Sequence, residues 1–113
     1  MNLTYAYILL AIAIMLEVSG TSFLKDTNGF TKLYPSLFCL VVFSACLYLM
    51  SHTMKVIPVG ITYATWSGLG IVMVSIIAVI KYKQIPNIPT IVGLFLIVIG
   101  VVIVNLMNDI DVK

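Results

Sequence analysis

Arginine is absent from this 113-residue chain, and charge of either sign is scarce. Charged residues make up 9% of the sequence, whereas 62% of it is hydrophobic. A soluble domain of this size needs more charged residues to cover its surface, so the composition predicts an integral membrane protein. Without arginine the chain has no guanidinium group to grip phosphates, and a net charge of +2 is too small for a nucleic-acid-binding protein.

Cysteine is also rare, with Cys39 and Cys46 as the two thiols. They lie seven residues apart in one apolar segment, and this spacing puts both on the same face of a helix. Two packed thiols are the simplest interpretation, because a metal site needs further ligands and none lie nearby in the sequence. We expect no metal, no cofactor and no enzymatic activity. Because no basic residues precede the first apolar run, we also expect no cleavable signal peptide.

Four apolar segments alternate with short polar breaks. They run over about residues 3–24, 33–54, 57–80 and 88–107, and each is long enough to cross the bilayer as a helix of ~20 residues. No long linker separates them. The sequence therefore predicts an all-α membrane protein with four transmembrane helices in a single domain, residues 1–113, arranged as an antiparallel bundle.

Lysine is distributed almost evenly between the two sides of the predicted membrane protein. The first and third loops hold Lys25, Lys32, Lys81 and Lys83, and the opposite side holds Lys55 and Lys113. A four-to-two bias weakly places the first and third loops in the cytoplasm. A bias this small leaves two arrangements open: insertion in both orientations, or pairing with an oppositely biased sister protein.

The first segment contains Glu17, the only glutamate in the chain. A carboxylate at mid-membrane costs about 2.5–3.5 kcal/mol on insertion scales, and no lysine in that segment offsets it. Such a residue indicates an ion, proton or substrate site; the alternative is a glutamate hydrogen-bonded across helices for packing alone. Helical spacing places it on one face with Tyr7, Leu10, Ala13, Ile14, Gly20, Thr21 and Leu24.

The third segment carries Trp66, the only tryptophan, about nine residues into the span. That depth is too great for an aromatic belt at the membrane interface. Tyr63 shares its face, so the two rings form either packing or a cation–π surface. Gly68 and Gly70 follow at once and indicate a bend, which we interpret as a hinge.

The second and fourth segments contribute fewer candidates. Phe43 is a candidate aromatic wall for a binding site. Gly93 and Gly100 lie seven residues apart and therefore share a face, which suits close contact with another helix. His52 lies beside Lys55 at the expected membrane edge, and we interpret it as an interfacial residue.

Two motifs give the chain a resemblance to a known family. These are Leu16-Glu17-Val18-Ser19-Gly20-Thr21 with Lys25, and the run from Ile57 to Gly70, IPVGITYATWSGLG. With Gly93 and Gly100, the chain resembles the small multidrug resistance family over about residues 5–107. The second motif is similar to the quaternary-ammonium branch of that family. Phe43, Thr62, Thr65 and Ile99 depart from the family pattern, which bears on substrate range more than on mechanism.

The resemblance implies a proton-coupled exporter of organic cations in the bacterial cytoplasmic membrane, working as an antiparallel dimer. Glu17 is then the residue that couples protons to substrate, Gly93 and Gly100 are dimer contacts, and Gly68 and Gly70 are the hinge. The implied substrate-binding residues are Tyr7, Leu10, Ala13, Ile14, Thr21, Phe43, Tyr63 and Trp66. The expected partners are organic cations, protons, membrane lipid and a second copy of the chain, with no nucleic acid.

Three alternatives to a homodimeric exporter stay open at this point. One is half of an obligate heterodimeric exporter, which the even lysine distribution allows. Another is a non-transporting subunit of a lipid-carrier flippase of similar four-helix build, which does not require Glu17 or the pair Tyr63 and Trp66. The third is a narrow pore, which needs a polar stripe along a whole helix, and no segment has one.

Overall fold

The computed structural model describes residues 2–110, which form four long α-helices joined by short turns. Helix α1 spans Leu3–Leu24, α2 spans Leu33–Thr53, α3 spans Val59–Tyr82 and α4 spans Ile88–Met107. All four are long and apolar enough to cross a membrane, which confirms the predicted all-α fold with four transmembrane helices. Met1 and residues 111–113, including Lys113, lie outside the described residues, so the single-domain extent of 1–113 stays a prediction.

Local sequence explains where the helices begin and turn. Asn2 caps α1 by accepting a hydrogen bond from the Tyr5 amide at 2.8 Å, and Asn87 caps α4 by accepting one from the Thr90 amide at 3.0 Å. Pro58 has an extended backbone, so α3 begins at Val59, two residues later than the sequence predicts.

The four helices form a flattened layer. The chain measures 42 × 35 × 18 Å, so its smallest dimension is less than half of its largest. Helix α1 packs against α2 on one side and α3 on the other, while α4 packs against α3. The helix order across the layer is therefore α2, α1, α3, α4.

Small residues allow close contact inside this layer. A Cβ atom at Gly20 would lie 2.7 Å from Val42 Cγ2, and one at Gly68 would lie 2.6 Å from Val101 Cγ2. Gly20 thus brings α1 close to α2, and Gly68 brings α3 close to α4. The core between the helices is formed by Ala6, Leu10, Ala13, Ile14, Val18, Cys46, Met50, Ile57 and Ile61.

Helix α4 lies at the edge of the layer with most of its surface exposed. Val101 is its one buried residue among those described. Cβ atoms placed on Gly93 or Gly100 would meet nothing within 4 Å. The glycine face of α4 is therefore open in the single chain, and its use as a dimer contact stays a prediction.

Candidate functional site

Only one of the two Glu17 carboxylate oxygens has a hydrogen-bond partner among the described residues. Thr21, one turn further along α1, donates a hydrogen bond to Glu17 Oε1 at 2.8 Å. The other oxygen, Oε2, is buried and has no hydrogen-bond partner among the described residues. A buried polar atom without a partner costs about 1–3 kcal/mol, and more when it carries charge. A proton or a positive charge therefore brings its largest gain in free energy when it lies beside Oε2.

Gly70 of α3 makes the room in which this carboxylate lies. A Cβ atom at Gly70 would lie 2.6 Å from Glu17 Oε2 and 3.3 Å from its carboxyl carbon. Any larger residue would occupy the same space. The absence of a side chain at position 70 thus lets the glutamate of α1 reach the backbone of α3.

A cleft between α1 and α3 contains this carboxylate. Its volume is about 280 Å³. Its lining includes Glu17 and Trp66 together with small or hydroxyl-bearing residues. The lining residues are Glu17, Thr21, Trp66, Ser67, Gly70, Ile71, Val74 and Ser75.

The Trp66 ring is oriented by a contact with α2. Its indole N–H donates a hydrogen bond to Cys46 Sγ at 3.1 Å. Tyr63 lies beside it, with ring centroids 5.6 Å apart and planes tilted by 48°. Cys46 therefore has a second role besides packing, because it satisfies the one polar group of the indole.

Four of the predicted substrate-binding residues on α1 lie outside the cleft in the single chain. Leu10, Ala13 and Ile14 are buried in the core, and Tyr7 packs against it. Phe43 packs its ring on the backbone of Gly20, where a Cβ atom would lie 3.2 Å from Phe43 Cε2. Of the predicted residues, the cleft brings together Glu17, Thr21 and Trp66. The binding roles of all these residues stay predictions.

The predicted hinge lies within an unbroken helix. Helix α3 continues from Val59 to Tyr82 through Gly68 and Gly70. Each glycine has a packing reason, since one faces Val101 of α4 and the other faces Glu17 of α1. Whether α3 bends here during the reaction stays a prediction.

Sequence reasoning missed Asn105 of α4. Its side chain bonds to Tyr7 of α1 and to Thr65 of α3, so it connects two helices that carry predicted site residues. One signal was available: Asn105 is the one polar residue between Gly93 and Met107 in the most hydropathic span. A lone polar side chain at that depth requires an internal partner.

Gly70→Ala tests the fit between α3 and the carboxylate. The added Cβ would displace the Glu17 carboxylate, the end of a flexible side chain, and the fold should remain because no backbone atom is in the way. Glutamate labelled with ¹³C at Cδ gives a single resonance, since Glu17 is the only glutamate. We expect that resonance and its pH dependence to change in Gly70→Ala.

The matched control is Gly60→Ala, on the same helix, where the added Cβ meets nothing within 4 Å. Its Glu17 resonance should match that of the unaltered protein. An unchanged resonance in Gly70→Ala would contradict the close contact between Gly70 and Glu17.

Comparison with known proteins places this architecture in one family. The model of the family described as Small Multidrug Resistance protein matches residues 5–97. The chain is 50% identical to the quaternary ammonium compound-resistance protein QacG of Staphylococcus sp. (strain ST94) over 91% of this chain and 96% of that protein. It is 47% identical to QacC of Staphylococcus aureus over 90% of this chain and 95% of that protein. It is 42% identical to the multidrug transporter EmrE of Escherichia coli (strain K12) over 90% and 93%. With four membrane-spanning helices and this match, the chain belongs to the small multidrug resistance family of bacterial membrane proteins.

Proposed function

We propose that this protein exports lipophilic and quaternary ammonium cations across the bacterial cytoplasmic membrane in exchange for protons. One observation carries the proposal: a carboxylate with one buried, unpartnered oxygen lines the same cleft as the only tryptophan of the chain. The names of the relatives support it, since they include quaternary ammonium compound-resistance proteins and a multidrug transporter.

A single carboxylate can serve two ligands of the same charge. A proton and an organic cation both supply positive charge to the carboxylate oxygen that has no partner among the described residues. A positive ligand beside Oε2 supplies the charge that the protein lacks there and releases the proton. Proton and cation therefore compete for Glu17, and competition at one site is sufficient to couple their opposite movements.

The aromatic wall suits a lipophilic cation. A cation over an aromatic face gains about 0.5–2 kcal/mol without the fixed geometry of a hydrogen bond. Trp66 lines the cleft and Tyr63 lies beside it, with its side chain more than half exposed. This combination favours flat or quaternary cations of varied shape, because neither ring requires the ligand to donate a hydrogen bond.

The driving force is sufficient for exchange. Two protons moving down ~100 mV and one pH unit release about 7 kcal/mol. Moving one monovalent cation outward against the same potential costs about 2.3 kcal/mol. The remaining ~5 kcal/mol sustains a cation gradient of between three and four decades.

The working unit in this proposal is an antiparallel dimer. The glycine face of α4 is uncovered in the single chain, since a Cβ atom at Gly93 or Gly100 would meet nothing within 4 Å. A second copy would cover this face and bring a second Glu17 into the assembly. The four-to-two lysine bias favours copies in both orientations. It equally allows a heterodimer with an oppositely biased sister protein, which is the second candidate.

Glu17→Gln tests the coupling role. The amide keeps the shape of the side chain but neither binds an extra proton nor carries negative charge. We expect loss of resistance to quaternary ammonium compounds and loss of cation-induced proton release, with membrane insertion retained. Asp26→Asn is the control, since Asp26 is half exposed and pairs with Lys81 outside the cleft. Normal export by Glu17→Gln would refute the proposal.

Trp66→Leu tests the cation–π surface. Leucine matches the apolar character of the ring but has no quadrupole, so tetraphenylphosphonium affinity measured by calorimetry should fall roughly two- to thirtyfold. Trp66→Phe should retain part of the affinity, and the proton titration of Glu17 should remain in both variants. Tyr5→Leu, an exposed aromatic in the first turn of α1, serves as control. Equal affinity for leucine and tryptophan at position 66 would show that bulk alone matters.

Orientation tests the pairing of two copies. Ser51→Lys with Val59→Lys adds positive charge beside the second loop at two exposed positions. We expect all copies to insert one way, with resistance lost when this variant is expressed alone. Co-expression with Gln84→Lys/Ile85→Lys, biased in the opposite sense, should restore it. Full resistance from the single-orientation variant alone would exclude the antiparallel homodimer.

A further inference from the structure

Asn105 is the polar centre of a hydrogen-bond chain that joins three helices. Tyr7 Oη donates to Asn105 Oδ1 at 2.6 Å, and Asn105 Nδ2 donates to Thr65 Oγ1 at 2.7 Å. The same amide nitrogen donates to the Val101 carbonyl at 2.8 Å, and the Thr65 hydroxyl donates to the Ile61 carbonyl at 2.7 Å. Every polar side-chain atom of this network has a hydrogen-bond partner.

The donor and acceptor of each hydrogen bond in this network follow from the two backbone carbonyls at its ends. The carbonyl oxygens of Val101 and Ile61 can only accept hydrogen bonds. Asn105 must therefore present its NH₂ group to Val101 and Thr65, which leaves its oxygen facing Tyr7. Because every donor has one assigned acceptor, the carboxamide and the Tyr7 hydroxyl have a single satisfied arrangement.

The network lies away from the Glu17 carboxylate but next to the aromatic wall. Tyr7 is ten residues before Glu17, which corresponds to about 15 Å along α1. Thr65 is buried and immediately precedes Trp66 in α3. A tie between Tyr7 and Thr65 therefore sets the spacing of α1 and α3 at the level where α3 presents its rings.

We propose that Asn105 is a positioning residue for cation recognition, holding Tyr7 and the Trp66 segment of α3 at a fixed spacing. The inference rests on the proposed export function, because it assigns Asn105 to the substrate side of that site. Asn105 acts through its neighbours, and the Glu17 carboxylate binds protons without it. Loss of the network should weaken cation binding and leave proton binding unchanged.

Trp66 offers a probe that requires no substrate. It is the only tryptophan, so the emission of the protein reports on one position. Asn105→Leu removes the carboxamide, Thr65→Val removes one acceptor with little change of shape, and Tyr7→Phe removes one donor and keeps the ring. We expect the emission maximum and the acrylamide quenching of Trp66 to change in Asn105→Leu and Thr65→Val. Asn108→Ala is the control, since Asn108 is exposed and its side chain bonds to the Ile110 amide, away from the network.

Affinity supplies the second measurement. Loss of one buried hydrogen bond should weaken tetraphenylphosphonium binding roughly three- to tenfold in each of the three variants. The double variant Asn105→Leu/Thr65→Val should be no weaker than Asn105→Leu alone, because both changes break one network. The pH titration of the Glu17 resonance should match that of the unaltered protein.

Two results would overturn the proposal. One is a lower melting temperature in Thr65→Val and Tyr7→Phe with unchanged affinity in both and unchanged Trp66 emission in Thr65→Val, which would make the network a purely structural contact. The other is additive losses of affinity in the double variant. If Asn105→Leu does not fold, Thr65→Val and Tyr7→Phe decide the matter. If the unaltered protein neither binds the cation nor releases protons, the proposed export function is wrong. The emission of Trp66 then still tests whether the network positions α3.

Discussion

The structure depends on a carboxylate that its own chain satisfies only halfway. Thr21 bonds to one oxygen of Glu17, and the other oxygen lies buried against the backbone of Gly70. In water both oxygens would be solvated, so the protein bears a cost at this position that packing alone does not require. A purely structural glutamate would have acquired a second donor, and the missing donor is what allows a proton or a cation to take that place.

Glycine residues bring each helix close to the side chains of its neighbour. α1 lies between α2 and α3, and a cleft lies between α1 and α3. Gly20 and Gly68 each admit a valine side chain of the neighbouring helix, whereas Gly70 admits the Glu17 carboxylate. The same residue type thus allows an apolar contact at two positions and a polar contact at the third.

Much of the fold could be predicted from the sequence. Hydropathy and length gave the bounds of α1 and α4, since a bilayer requires ~20 apolar residues. The free-energy cost of a lone carboxylate within a membrane span identifies Glu17 as a candidate site residue from the sequence alone. Helical spacing also placed Tyr63 and Trp66 on one face. These features are local, and each can be read from a single segment.

The remaining contacts of the site depend on which helices face one another, and the periodicity of a sequence does not show this. A 3.6-residue repeat shows which residues share a face, but not which neighbour that face meets. Leu10, Ala13 and Ile14 share a face with Glu17 and yet are buried in the core. The partnership of Cys46 with Trp66 crosses from α2 to α3, and that of Asn105 with Tyr7 joins residues 98 positions apart. Such contacts require the order of helices across the layer.

The two ends of the α1–α3 pair are joined by contacts of different strength. At one end Asn105 links Tyr7 to Thr65. At the other, Lys81 Nζ donates to Asp26 Oδ2 at 2.5 Å and to the Ser22 carbonyl at 3.0 Å.

The ion pair is about one-third exposed, so water can replace it at a cost of about 0–1 kcal/mol. Tyr82 adds to this end, because its hydroxyl donates to the Ser22 carbonyl at 3.0 Å and to Asp26 Oδ1 at 3.2 Å. The amide network at the other end is part-buried and reaches from α1 to α3 through Asn105 of α4. Separation of α1 from α3 therefore breaks hydrogen bonds at both ends, and the Glu17 cleft lies between the two.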